Sequence, residues 1–120
     1  MAIEKFVFAT DLHYGFERKG GHKLPLHDLK AFGVLQEFVK EFKPDHMILG
    51  GDVIDCGAIS HHNHGEPGAT EGLKLLQDVK EVRKLILEPL EAAAPKAKRT
   101  YITGDLEAWL GQVVERDPAL

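Results

Sequence analysis

Three short stretches of this 120-residue chain place carboxylates where a divalent cation could sit. The first is "TDLH" (Thr10 to His13), the second "GGDVID" (Gly50 to Asp55) and the third "TGDLEAW" (Thr103 to Trp109). Asp11, Asp52 and Asp105 each follow a short apolar run, directly or after one or two glycines. Glycines let the backbone turn sharply and let a ligand come close. Three carboxylates gathered in a low-dielectric cleft repel one another strongly, and a cation between them relieves the repulsion. His13 adds a nitrogen ligand from the same loop as Asp11. Aspartate and histidine with open positions suit zinc, manganese or iron better than calcium. Any one of these aspartates reads most simply as a turn or capping residue. Three of them at three successive strand ends, together with D-x-H, favour a metal.

The elements needed to gather these residues can be read from the apolar pattern. "KFVFAT" (5–10), "HMILGG" (46–51) and "RTYIT" (99–103) are short apolar runs typical of buried strands. None alternates strictly, as expected of parallel strands covered on both faces. Between the first two, Leu29, Phe32, Leu35, Val39 and Phe42 recur at helical spacing. Asp28 stands at the N-cap position and Pro44 lies beyond the end. A second helix is expected from about Thr70 to Leu87, with Leu73, Leu76, Val79, Val82 and Ile86 as its stripe and Pro89 and Pro95 ending or kinking it. A third is expected over Glu107 to Glu115, carrying Leu110, Val113 and Val114. "APKAK" (94–98) reads as the most flexible connection. The expected fold class is therefore α/β: a β-α-β-α-β parallel sheet flanked by helices, with right-handed crossovers. In such a sheet all strand C-termini share one edge, and ligands bind there.

Bulk properties bound the answer. The length fits a single domain spanning residues 1–120, able to bury about two-thirds of its unfolded surface. Apolar residues make up 43% and charged residues 28%, an ordinary soluble composition. A net charge of -4 argues against a surface that coats DNA, though not against a local basic patch. The single cysteine, Cys56, excludes an intrachain disulfide. The N-terminal apolar run is too short to span a membrane and lacks the features of a signal peptide. A cytoplasmic protein with no membrane partner is expected.

At "DLH", "GDVID" and "GDLE" the sequence resembles the calcineurin-like metallophosphoesterase superfamily, whose motifs are D-x-H, G-D-x-x-D and G-N-H-E/D, each after a strand. The first two match fully, and the third matches at its first and last positions. "SHHNHGEPG" (60–68) and the motif order look like phage and bacterial phosphoesterases of this kind. The resemblance implies two divalent metal ions (Mn, Zn or Fe) about 3.5–4 Å apart. Asp11 and His13 would hold the first, Asp52 would bridge both, and Asp105 would stand where the family's asparagine binds the second. The implied reaction is hydrolysis of a phosphate monoester or diester by a hydroxide that the two metals activate. The fold implied is the first half of the family's α/β/β/α sandwich.

The chain departs from that pattern at two points. Asp105 replaces the asparagine, bringing a charge that strengthens cation binding but repels phosphate. Leu106 replaces the histidine that contacts phosphate and helps protonate the leaving group. A general acid is worth about 100–10,000-fold, roughly 3–5 kcal/mol of barrier. The family's further metal-binding histidines lie in a later half, which this length does not hold. Self-association, or a missing C-terminal half, is therefore expected to cover the apolar sheet face. His61, His62 and His64 could serve as auxiliary ligands and Asn63 as a substrate contact; solvated loop residues are the simpler reading. His22 and His27 sit in the first βα loop.

Two further function classes compete with the hydrolase. One is a catalytically degenerate relative that binds metal or a phosphate-bearing partner without turnover. The other is a receiver-type signalling domain, which needs an acidic pair at the first strand end, five strands and a late lysine; "DLH" and three strands disfavour it. Phosphoprotein, small ester, nucleotide and nucleic acid all remain open as phosphate-ester substrates. Asp55 reads as a residue that orders its loop and Cys56 as a packed thiol. Glu107 reads as a first-turn helix acid, Trp109 as a packing residue, and Lys96, Lys98 and Arg99 as solvated.

Overall fold

The apolar run Phe6–Ala9 forms strand β1, and it is followed by a hairpin of β2 (Phe16–Lys19) and β3 (His22–Pro25). Next come helix α1 (Leu29–Phe42) and strand β4 (His46–Leu49). A long interrupted helix then runs through α2 (Leu75–Val82), a π-helical turn (Arg83–Leu87) and α3 (Glu88–Ala93). Strand β5 (Lys98–Tyr101) and helix α4 (Asp105–Arg116) complete the order. The computed structural model describes residues 2–57 and 74–116, with the side chains of 110–114 and 116 left aside.

The mixed α/β class and the parallel sheet expected from the apolar runs are present. β1, β4 and β5 form a three-stranded parallel sheet in the order β1-β4-β5. Val7 and Met47 pair in register, as do Phe8 and Ile48. Residues paired in this way point to the same side of the sheet. One side carries Val7, Met47 and Leu49 into a core shared with Phe32 and Val39 of α1 and with Val82, Ile86 and Leu90 of the long helix. The other side carries Phe6 and Phe8, which are 54% and 61% exposed. Among the described residues the strands are thus covered on one face, not two. Apolar residues on both sides of β1 hide the alternation that a half-covered strand otherwise displays. β5 is exposed along its whole length, and its Lys98 and Arg99 put charge on the sheet edge. Such charges discourage pairing with another strand.

Helix α1 forms where its pattern places it. Asp28 Oδ1 accepts hydrogen bonds from the Lys30 and Ala31 amides at 2.9 and 3.0 Å. Lys43 turns left-handed at φ 53° and its N–H closes on Val39 O. The second helix differs from expectation in extent and phase. Val82, Ile86 and Leu90 face inward, whereas Leu76 and Val79 are 66% and 47% exposed. The helix also continues past Pro89. A proline ring meets the carbonyl four residues back and offers no N–H. Here the turn before it widens, and the Glu88 N–H bonds to Arg83 O, five residues back. That widening accommodates the ring and rotates the inward face of the residues that follow. The "APKAK" connection is tied down rather than loose: Ala94 and Ala97 are buried and joined by an Ala97 N to Ala94 O bond of 3.2 Å. No helix among the described residues is long and apolar enough to cross a membrane.

Candidate metal centre

Beyond the last residues of β1 and β4 the two segments stay zipped together. Gly50 N donates to Ala9 O at 2.8 Å, Asp11 N to Gly51 O at 3.1 Å and His13 N to Asp52 O at 3.0 Å. Tyr14 N then donates to Val53 O, and Asp55 N returns to Tyr14 O, both at 2.8 Å. Within this ladder Asp11, His13 and Asp52 all adopt left-handed backbone, with φ of 57°, 48° and 49°. Non-glycine residues rarely do so, and the cost is sustained only where surrounding bonds over-determine the geometry. The third loop comes in at two glycines. A Cβ on Gly51, which has φ 103°, would lie 2.8 Å from Gly104 Cα; one on Gly104 would lie 2.3 Å from Asp52 Oδ1. Only glycine permits that approach.

The result is a compact donor set. One ligand atom from each of Asp11, His13 and Asp52 lies within 4.8 Å of the others. These donors can hold a metal ion, and an oxygen–nitrogen–oxygen set of this kind suits a first-row divalent cation. His13 is held from both sides, with Nε2 3.3 Å from Asp11 Oδ1 and Nδ1 3.1 Å from Asp55 Oδ1. With its proton on Nδ1 and donated to Asp55, the ring presents the Nε2 lone pair beside Asp11. A carboxylate behind a ligating histidine fixes tautomer and orientation. Burial pulls the His13 imidazole down, but hydrogen bonds and charge from Asp55 and Asp11 outweigh it, and the net shift is upward from 6.5. Asp52 Oδ1 accepts from the Leu106 N–H at 2.9 Å, which points the aspartate toward the third loop.

The expected site residues divide into three groups. Asp11, His13 and Asp52 are brought together. Asp105, the first residue of α4, is exposed and stands outside that group. Leu106 lies partly buried against the core. Asn63, His61, His62 and His64 lie outside the described residues. Asp55 orders its loop as expected, and does so through His13. His27 of the first loop stacks on Tyr14 at 4.0 Å between ring centroids. Tyr14 in turn donates to Glu81 Oε2 at 2.7 Å, fastening the loop to α2. Burial and neighbouring carboxylates, Glu107 foremost, push the Cys56 thiol up to about 12, so it stays protonated and inert.

Glu107 does more than favour a helix dipole. Its carboxylate accepts from the amides of Asp52 (2.9 Å), Val53 (2.8 Å) and Gly104 (3.1 Å), and from the Tyr101 hydroxyl. It therefore fixes the backbone on either side of the Asp52 carboxylate. Burial acts to raise its pKa, but these donors prevail and hold it below the usual value. The only sequence signal for this role was its place in "GDLE", three residues after a glycine.

Comparison of the chain with family models, with characterised proteins and with solved structures gives no match.

Proposed function

We propose that this protein is a metal-dependent phosphoesterase acting on a phosphate monoester or diester. The observation that carries the reading is the convergence of Asp11, His13 and Asp52, from two separate loops, on one point at the C-terminal edge of a parallel sheet. Asp11 and His13 would hold one metal, Asp52 would face both of a pair, and Asp105 would serve the second from the helix start. A divalent metal bound there supplies Lewis-acid polarisation of a phosphoryl oxygen and eases ionisation of water. The chain's own contribution is to fix the ligands: Asp55 through His13, Glu107 through the backbone of Asp52 and Val53. The resemblance to the calcineurin-like metallophosphoesterases, in the D-x-H and G-D-x-x-D motifs, supports the same reading. A cytoplasmic location belongs to it, as does a second copy or further part of the protein over the open face of the sheet.

A second reading is favoured by one specific observation. Leu106 occupies the position of the family's proton donor, and its amide is spent on Asp52. A protein that binds metal or a phosphate-bearing partner without turnover fits this residue. The deciding experiment is calorimetric titration with Mn²⁺ beside hydrolysis of a chromogenic monoester and diester, in the native chain and in Asp52→Asn. Hydrolysis and metal uptake that both vanish in the variant would support the esterase. Metal uptake without hydrolysis would support the binding protein. Equal metal uptake in the two chains would exclude Asp52 as a ligand, and with it both readings of this site.

A further inference from the structure

Next to the candidate metal centre a cleft of about 420 Å³ opens between the loop after β1, the end of the hairpin and α1. Asp11 and His13 stand in its lining; most of the rest is apolar, including Leu26, Leu29, Phe32, Leu35 and Ile86. The volume falls within the range of small-molecule sites, which are mostly apolar with a few placed polar groups. The cleft's other polar side chains are engaged through one atom each. His27 stacks on Tyr14 and places Nδ1 at hydrogen-bonding distance from the Gly15 backbone. Asp28 Oδ1 takes the Lys30 and Ala31 amides. Most of the lining offers a hydroxyl-rich group such as a ribose no partner for the water it would lose, a loss that disfavours it. An apolar group would gain, and Leu26 and Leu29, both substantially exposed, would be covered.

We infer that the cleft binds the apolar portion of the substrate, an aryl or branched-alkyl group, while the phosphoryl end of the same molecule lies at Asp11, His13 and Asp52. This rests on the phosphoesterase reading for the chemistry at the mouth of the cleft, and on the cleft itself for the rest. The substrate class is an ester of phosphate with an apolar alcohol or phenol, rather than a sugar phosphate.

The test is calorimetric binding of phenylphosphonate, methylphosphonate and ribose 5-phosphate to the Mn²⁺-loaded protein. Phenylphosphonate should bind about tenfold to a hundredfold more tightly than methylphosphonate, as expected for burying one aromatic ring. Ala31 lines the same cleft from the exposed side of α1. Ala31→Trp should fill the cleft and erase the preference while Mn²⁺ uptake is retained. If that variant fails to fold, Leu29→Gln should reduce the same preference. Equal affinity for the phenyl and methyl compounds, or tighter binding of ribose 5-phosphate, would overturn the inference and leave the metal reading standing. If Mn²⁺ does not bind, the metal reading falls and phenol alone decides. Phenol binding that Ala31→Trp removes would support the cleft; no phenol binding would overturn it.

Discussion

His13 sits between two carboxylates, and the pair does different work. Asp11 shares the candidate ligand group, while Asp55 stands behind the ring at 3.1 Å. Asp55→Asn keeps the shape but removes the charge that orients the imidazole. Its Mn²⁺ affinity, measured by calorimetry, should fall about 10–100-fold, the usual cost of losing such a partner. Glu107 sets the acid limit of the same region. Its pKa in the folded chain lies below its ordinary 4.5, so the unfolded chain holds the proton more tightly. The stability it contributes is complete above that ordinary value and is lost as pH falls through the lower folded value. Glu107→Gln should therefore be less stable to urea at pH 6 by about 1.5–3 kcal/mol, the worth of hydrogen bonds to a charged group. The gap should narrow as the comparison is carried to pH values below the ordinary 4.5; a gap that ignores pH would mean the carboxylate's charge is immaterial.

The loops that carry the site depend on backbone that only particular residues tolerate. Gly51→Ala would place a methyl against the Gly104 backbone at φ 103°. It should cost about 1–3 kcal/mol in urea unfolding and weaken Mn²⁺ binding with it. Gly33 offers a control, since a methyl there meets open space on α1. Gly33→Ala should gain up to about 1 kcal/mol with metal binding unchanged. Element by element, legibility followed how local the signal was. α1 was readable because its cap, its stripe and Pro44 all lie within one short stretch. The hairpin was not recognised, because "FERK" and "HKLP" show charge where strands usually alternate, although Gly20 and Gly21 mark its turn. The phase of the long helix was misread because Leu75 and the polar Asp78, not Leu76 and Val79, hold the inward positions ahead of Val82, and an apolar stripe has no place for a buried aspartate. Asp11, His13 and Asp52 were legible from strand-end motifs. The role of Glu107 was not, because its amide partners on Asp52 and Val53 are 55 and 54 residues away.

At the scale of the molecule, the described residues cover the sheet on one side only. Phe6 and Phe8 lie open beside Ile48, and a proposed cover for that face predicts association. Sedimentation should show a mass that rises with concentration, and the double variant Phe6→Thr, Phe8→Thr should remain monomeric. A native chain that stays monomeric throughout would remove the second copy from the proposal. The ladder joining the first two loops carries a consequence for synthesis. His13 and Asp55 are 42 residues apart, and all three candidate ligands precede Asp55. A nascent chain that has exposed Asp52 already holds the whole donor set, with Glu107 following 55 residues later. Ion capture can thus come early, with the Glu107 carboxylate arriving last to latch the Asp52 and Val53 amides.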